Sequence, residues 1–218
     1  TFDGAGNLMI TSGLNSGSIA QNILTITGNA GFQNNGSIIA KIANNGTFTN
    51  AGAIGSAISA KDFTNSGTFI NSSDVFVNDL SNSGTINNTS NIIVSGNLEN
   101  TNLVENSGKL DVTGRLTNTK TIRNLSQGNI TVGNEFINSD NFSNAGTINA
   151  NKVTNKGTIA NSGTFEASTI TNGDANSTSN TIVNTGNLTV SEMINNAILQ
   201  NKGNNSQLDI TTSLTNNG

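Results

Sequence analysis

The sequence predicts an all-β fold: a parallel β-helix whose chain winds into coils of about 19 residues, each with three short strands. The first observation behind this is a recurring phrase of an apolar residue, a spacer, Asn, a spacer and then usually Gly. It reads Ile42-Ala-Asn44-Asn-Gly46, Phe63-Thr-Asn65-Ser-Gly67, Leu80-Ser-Asn82-Ser-Gly84, Val153-Thr-Asn155-Lys-Gly157 and Leu214-Thr-Asn216-Asn-Gly218. The second is its spacing. Counted from Ile42 with the degenerate copies included, successive copies start 21, 17, 18, 18, 20, 17, 17, 23 and 21 residues apart. A repeat this short is one turn of a solenoid. The third is composition. The chain holds 43 Asn and 24 Gly, both weak helix formers, and no window keeps an apolar 3.6-residue spacing for three turns. Disorder is a poor alternative, because charged residues are only 10% of the chain, Pro is absent and the apolar residues are regularly spaced.

Residues 1–218 are expected to form one β-helix, with the register fixed from about residue 42. Before that, Leu14-Asn-Ser-Gly17 and Phe32-Gln-Asn34-Asn-Gly36 resemble the phrase without setting a register. The best-formed coil runs from Val153 to Thr169. Its segments start at Val153, Ile159 and Phe165, and Ile170 opens the next coil. Phe136, Phe142 and Ile148 repeat the layout, as do Leu98, Leu103 and Leu110. The third segment alternates cleanly, as in Leu110-Asp-Val112 and Ile130-Thr-Val132, which places one face inward and one outward. A coil therefore has three sides and at least two Asn-rich corners.

Asn suits a corner because its side chain bonds nearby backbone and tolerates left-handed geometry. Two residues later the chain carries Gly in most copies, and elsewhere Asn102, Asp140 or Asp174. These types tolerate positive φ, so a left-handed position is expected there, with different turns at Lys120 and Ala197. Recurrence once per coil should stack Asn65, Asn82, Asn100, Asn118, Asn138 and Asn155 in one column. A second would hold Asn106, Asn124, Asn144, Asn161, Asn184 and Asn201. Stacked amides can donate to one neighbour and accept from the other. Sugar or ion binding is the functional alternative for so many Asn; a structural turn ladder is the expectation. Three stretches break the rhythm, Gly52 to Asp62, Gly173 to Thr181 and Lys202 to Gln207, and should leave the stack as corner loops. In the second, Gly173, Asp174, Asn176 and Asn180 are the candidate partner contacts.

Several chemistries are excluded by residue type. With no Cys and no His there is no disulfide, no thiolate zinc site and no Ser-His triad, and no metal or cofactor is expected. Glu99, Glu105 and Asp111 should lie on different sides of one coil, which disfavours a paired-carboxylate site. The net charge is −4 and thinly spread, so no basic face for nucleic acid is visible. No stretch approaches the 18 apolar residues of a membrane-spanning helix.

These repeats resemble those of bacterial exoproteins of the filamentous-haemagglutinin type. Their form is an apolar residue, x, Asn, x, Gly, x, Ile or Leu, followed by a strand such as Gly-Asn-Leu-x-Val. Here it appears as Leu80 to Ile86 followed by Ile92-Ile-Val-Ser-Gly-Asn-Leu98, and as Phe142-Ser-Asn-Ala-Gly-Thr-Ile148, and it covers most of the chain. The resemblance implies a right-handed winding. It also implies secretion across the outer membrane of a Gram-negative bacterium through a dedicated partner transporter, and a secreted or cell-surface location. The implied role is an adhesin shaft, or a stick for contact-dependent toxin delivery, that meets a receptor or glycan on a host or neighbouring cell. Starting at Thr1 and stopping within a repeat, the chain reads as a piece of such a shaft cut from a longer array. A passive spacer is a second reading, and a polysaccharide-degrading β-helix enzyme a less favoured third.

Overall fold

The structure is a computed structural model and describes residues 1–174 and 179–217. Among these residues there is no helix, and every strand pairing is parallel. The chain winds into a β-solenoid of about 12 turns with three sides. Side two of each coil, for example Thr158–Asn161, joins an 11-stranded sheet. Sides three and one share a 16-stranded sheet, because the chain passes between them by a bend that interrupts pairing little. In the later coils the two sides form one bent strand, such as Thr147–Asn155 or Thr164–Asn172. In the middle of the stack they separate, as Asn91–Val94 and Leu98–Asn100. Only two corners therefore carry Asn; the third is the bend.

Alternation puts a fixed set of side chains inside each coil. Side one contributes an apolar residue and an Asn, side two the same, and side three two apolar residues. Val153, Ile159, Ile148 and Ala150 illustrate this, all at most 1% exposed. In-register stacking turns each position into a column. Phe136 lies beside Leu116 and Val153 in neighbouring coils, and Ile130 beside Leu110 and Ile148. Rings fill the interior at two levels: Phe48 and Phe69 have centroids 5.1 Å apart, and Phe136 and Phe142 4.8 Å. Each apolar side chain buried this way is worth about 1.5–3 kcal/mol over exposure, and it is buried by the coils above and below it. One expected position shifts by a residue: on side two of the coil opened by Leu98, Val104 points inward while Leu103 is half-buried at the corner.

The register before residue 42 is also set. Leu24 pairs with Ile42, Ile26 with Asn44, Phe32 with Phe48 and Ile38 with Ile54. An isoleucine thus occupies the first-corner position in that coil, and the first Asn column begins at Asn44.

The corners overturn one expectation. No described non-glycine residue has positive φ, and the corner glycines Gly46, Gly67, Gly84 and Gly157 are not left-handed either. Their requirement is steric. A Cβ on Gly67 would sit 2.0 Å from the Gly46 carbonyl oxygen of the preceding coil, and one on Gly84 2.0 Å from that of Gly67. Corner residues stack almost backbone on backbone, and glycine allows the closest approach. Because no special φ is needed, Lys120 and Ala197 keep the same turn: their carbonyls accept from Asn118 at 3.1 Å and Asn195 at 2.9 Å. Positive φ occurs at Gly4, Gly13 and Gly31 in the first coils, and beyond them only, among the described residues, at Gly55 (φ 64°), Gly173 (80°) and Gly203 (108°). Each of these last three lies in one of the three interruptions.

Substituting Gly84 by Val should therefore lower stability by about 1–3 kcal/mol through overpacking, measured by denaturant melts. The exchange Lys120→Val at an equivalent corner, where a Cβ is already present, should cost less.

Candidate functional site

Two features stand out from the regular stack: the buried Asn columns and the interrupted corners. In the first column, Asn44, Asn65, Asn82, Asn100, Asn118, Asn138, Asn155, Asn172, Asn195 and Asn216 are joined Nδ2 to Oδ1, each donating to the next coil at 2.7–2.9 Å. The second runs through Asn15, Asn34, Asn50, Asn71, Asn88, Asn106, Asn124, Asn144, Asn161, Asn184 and Asn201 over the same range of distances. The second column thus begins much earlier than Asn106. Its earlier members follow the same apolar-x-Asn spacing, in Phe48-Thr-Asn50 and Phe69-Ile-Asn71.

Most of these amides are also tied to their own turn. Asn82 is 1% exposed. Its Nδ2 donates to Asn100 Oδ1 at 2.8 Å, to the Gly84 carbonyl at 3.1 Å and to the Leu103 carbonyl at 3.0 Å, while its Oδ1 accepts from Asn65. In several turns Oδ1 also accepts the N–H two residues on, as from Gly46 to Asn44 at 3.2 Å. Hydroxyls beside the Asn reinforce the stack: Thr89 Oγ1 donates to the Asn71 carbonyl and Thr101 Oγ1 to that of Asn82. These amides face inward and are occupied by one another, so they present nothing to a sugar or an ion.

The interruptions fall on three different corners. The chain leaves the bend at Gly55 and returns at Lys61, with Ser59 N donating to the Ser56 carbonyl across the turn and Ile58 fully exposed at its tip. It leaves the first Asn corner after Asn172 and returns at Thr181, and leaves the second after Asn201 and returns at Gln207. A smaller excursion at Leu125 to Gly128 was not visible as a break; there Asn124 bonds the carbonyl four residues on instead of two. Among the candidate contacts, Gly173 donates its N–H to the Asn155 carbonyl, and Asp174 lies 3.5 Å from Lys156. Asn180 is buried and accepts from the Ile198 N–H, so it belongs to the stack rather than to the surface. Asn176 lies outside the described residues.

Outward charges pair between coils. Arg123 and Glu105, register partners on side two, meet at 2.8 Å. Glu99, Glu105 and Asp111 stand on sides one, two and three respectively. Glu135, at the bend, is largely covered and held by Lys152 at 3.0 Å and Arg115 at 3.5 Å, and it accepts from Thr154 Oγ1 at 2.9 Å. Burial alone would raise its pKa; the hydrogen bonds from Lys152 and Thr154 and the charges of Lys152 and Arg115 together outweigh that and hold it below the ordinary 4.5.

No family model matches the chain, and no curated protein or solved structure is significantly similar to it.

Asn82→Ala or Asn155→Ala should cost about 1–3 kcal/mol by leaving buried amide and backbone groups unpaired. Glu99→Ala, at an exposed position, should cost under about 0.5 kcal/mol; equal denaturant midpoints for the two kinds of variant would refute the structural role of the columns. Glu135 has a lowered folded-state pKa, so its contribution is fully present above 4.5 and is lost as pH falls through the lower folded value. Glu135→Gln should therefore destabilise the protein at neutral pH, and thermal melts of variant and wild type should converge below that range.

Proposed function

We propose that this chain is an extracellular shaft of the filamentous-haemagglutinin type, a right-handed β-helix averaging about 19 residues per coil. It would be secreted to the surface of a Gram-negative bacterium by a partner transporter and would present or make contact with a host or neighbouring cell. The observation that carries the reading is the division of labour in the coil. Inward positions form continuous columns that only hold the stack together, while the outward face is polar and several of its charges pair between neighbouring coils. Such a molecule is suited to spanning a distance. A regular shaft offers nearly the same shallow surface at each level, so specific contact falls to the unrepeated corners, where a partner finds groups to desolvate.

Those corners point in three directions, so a single partner need not engage all of them. The chain with residues 56–60, 174–179 and 203–206 cut back to regular turns should keep its fold and lose cell adhesion. Adhesion retained by that variant would move the contact to the β faces. Absence of adhesion by the intact chain would overturn the adhesive reading and favour a passive spacer within a toxin-delivery stick.

A further inference from the structure

The bend between sides three and one varies in length from coil to coil, and this variation builds a cleft. Three residues join Ile38 to Ile42, the shortest bend among the described coils. Four residues join Ile19 to Leu24 in the coil before it, and eight join Ile54 to Phe63 in the coil after it. Lys41 therefore sits on the floor of a notch. Gln21 and Asn22 form one lip, and the returning loop, through Lys61 and Asp62, forms the other, with Asn78 beyond it. The notch is an open depression of about 400 Å³, comparable in volume to the roughly 300–1,000 Å³ of small-ligand clefts.

Its groups are of two kinds. Gln21 and Asn22 offer carboxamide donors and acceptors side by side, which suits vicinal hydroxyls, and Asn78, whose Nδ2 is taken by Asp62 and Asp79, adds its carbonyl oxygen as an acceptor. Asp62 is fixed by Asn78 Nδ2 at 3.0 Å and by Lys41 at 3.5 Å. Seven of the nine basic side chains form ion pairs; Lys61 and Lys202 have none among the described residues. With Lys41 paired to Asp62, Lys61 is the one charged residue lining the notch that has no ion pair; the nearest further carboxylate, Asp79, is engaged by Asn78 and by the Asn97 N–H.

We propose that this notch binds a carboxylated saccharide of the uronic-acid type, its hydroxyls meeting the carboxamides and Asp62 and its carboxylate meeting Lys61. The proposal deepens the contact-shaft reading and rests on it for its biological sense, while its test uses the isolated chain.

Calorimetric titration of the intact chain with a short oligogalacturonate should show saturable binding, and the neutral galactose oligomer of equal length should bind more weakly. Lys61→Gln should weaken the acidic ligand about tenfold, as expected for a lost charge-assisted hydrogen bond, and Lys61→Arg should retain it. Lys202→Gln should change nothing. No saturable binding, equal binding of the neutral oligomer, or equal losses in Lys61→Gln and Lys202→Gln would each overturn the proposal. None of these outcomes bears on adhesion through the other two interrupted corners, so the two readings fail separately.

Discussion

The structure depends on a carboxamide placed inside an apolar column. A buried amide left without partners costs about 1–3 kcal/mol, so each inward Asn demands a neighbour at hydrogen-bonding distance. The coil above and the coil below supply it, and the backbone of the same turn takes the rest. This constrains the fold more tightly than apolar burial alone. Ile, Leu, Val and Phe exchange places along the side-one column, from Leu80 to Phe136 to Val153, because hydrophobic packing is tolerant of shape. The amides do not exchange in the same way: from Asn44 onward the first column holds nothing else.

Every link in both columns runs the same way, with the earlier coil donating to the later. The direction follows from the turn. Most Nδ2 groups also donate to the carbonyl two residues on, as in Asn155 to Gly157, or four residues on at Asn124, which aims the amide hydrogens toward the following coil and leaves Oδ1 facing the preceding one. A one-residue slip would carry an Asn to the outer face and an outward residue into the core. Register is therefore fixed at two corners per coil, and the stack tolerates irregularity elsewhere. Between Asn161 and Asn184 the chain makes a detour of several residues, yet the amides still meet at 2.7 Å.

That tolerance links the scaffold to function. Insertions at the bend or at a corner leave the columns intact, so unrepeated shapes can be added to the outside at little cost to the inside. Outward positions are released from the core and follow a looser rule, in which opposite charges on neighbouring coils find one another. Arg115, Glu135 and Lys152, on three successive coils, form the most covered example. Lys61 escapes this pairing at a place where the lengths of adjacent bends do not match.

The sequence by itself determined the repeat, the inward and outward faces over most of the chain and the existence of two Asn columns, though not how early the second begins. All three follow from spacing, because stacking in register converts a distance along the chain into contact between coils. Asn82 and Asn100 are 18 residues apart and share a hydrogen bond for that reason. Other features were decided only by the tertiary structure. The corner glycines answer to the backbone of the preceding coil, and a crowding contact from another turn leaves no local mark that distinguishes it from a need for positive φ. Before residue 42, Ile26 stands in the column that Asn44 opens, and only pairing with the following coil reveals its place. The fusion of sides three and one into one sheet, and the notch over Lys41, depend on comparing bends in successive coils. A single repeat does not contain that comparison, because it exists only once the coils are stacked.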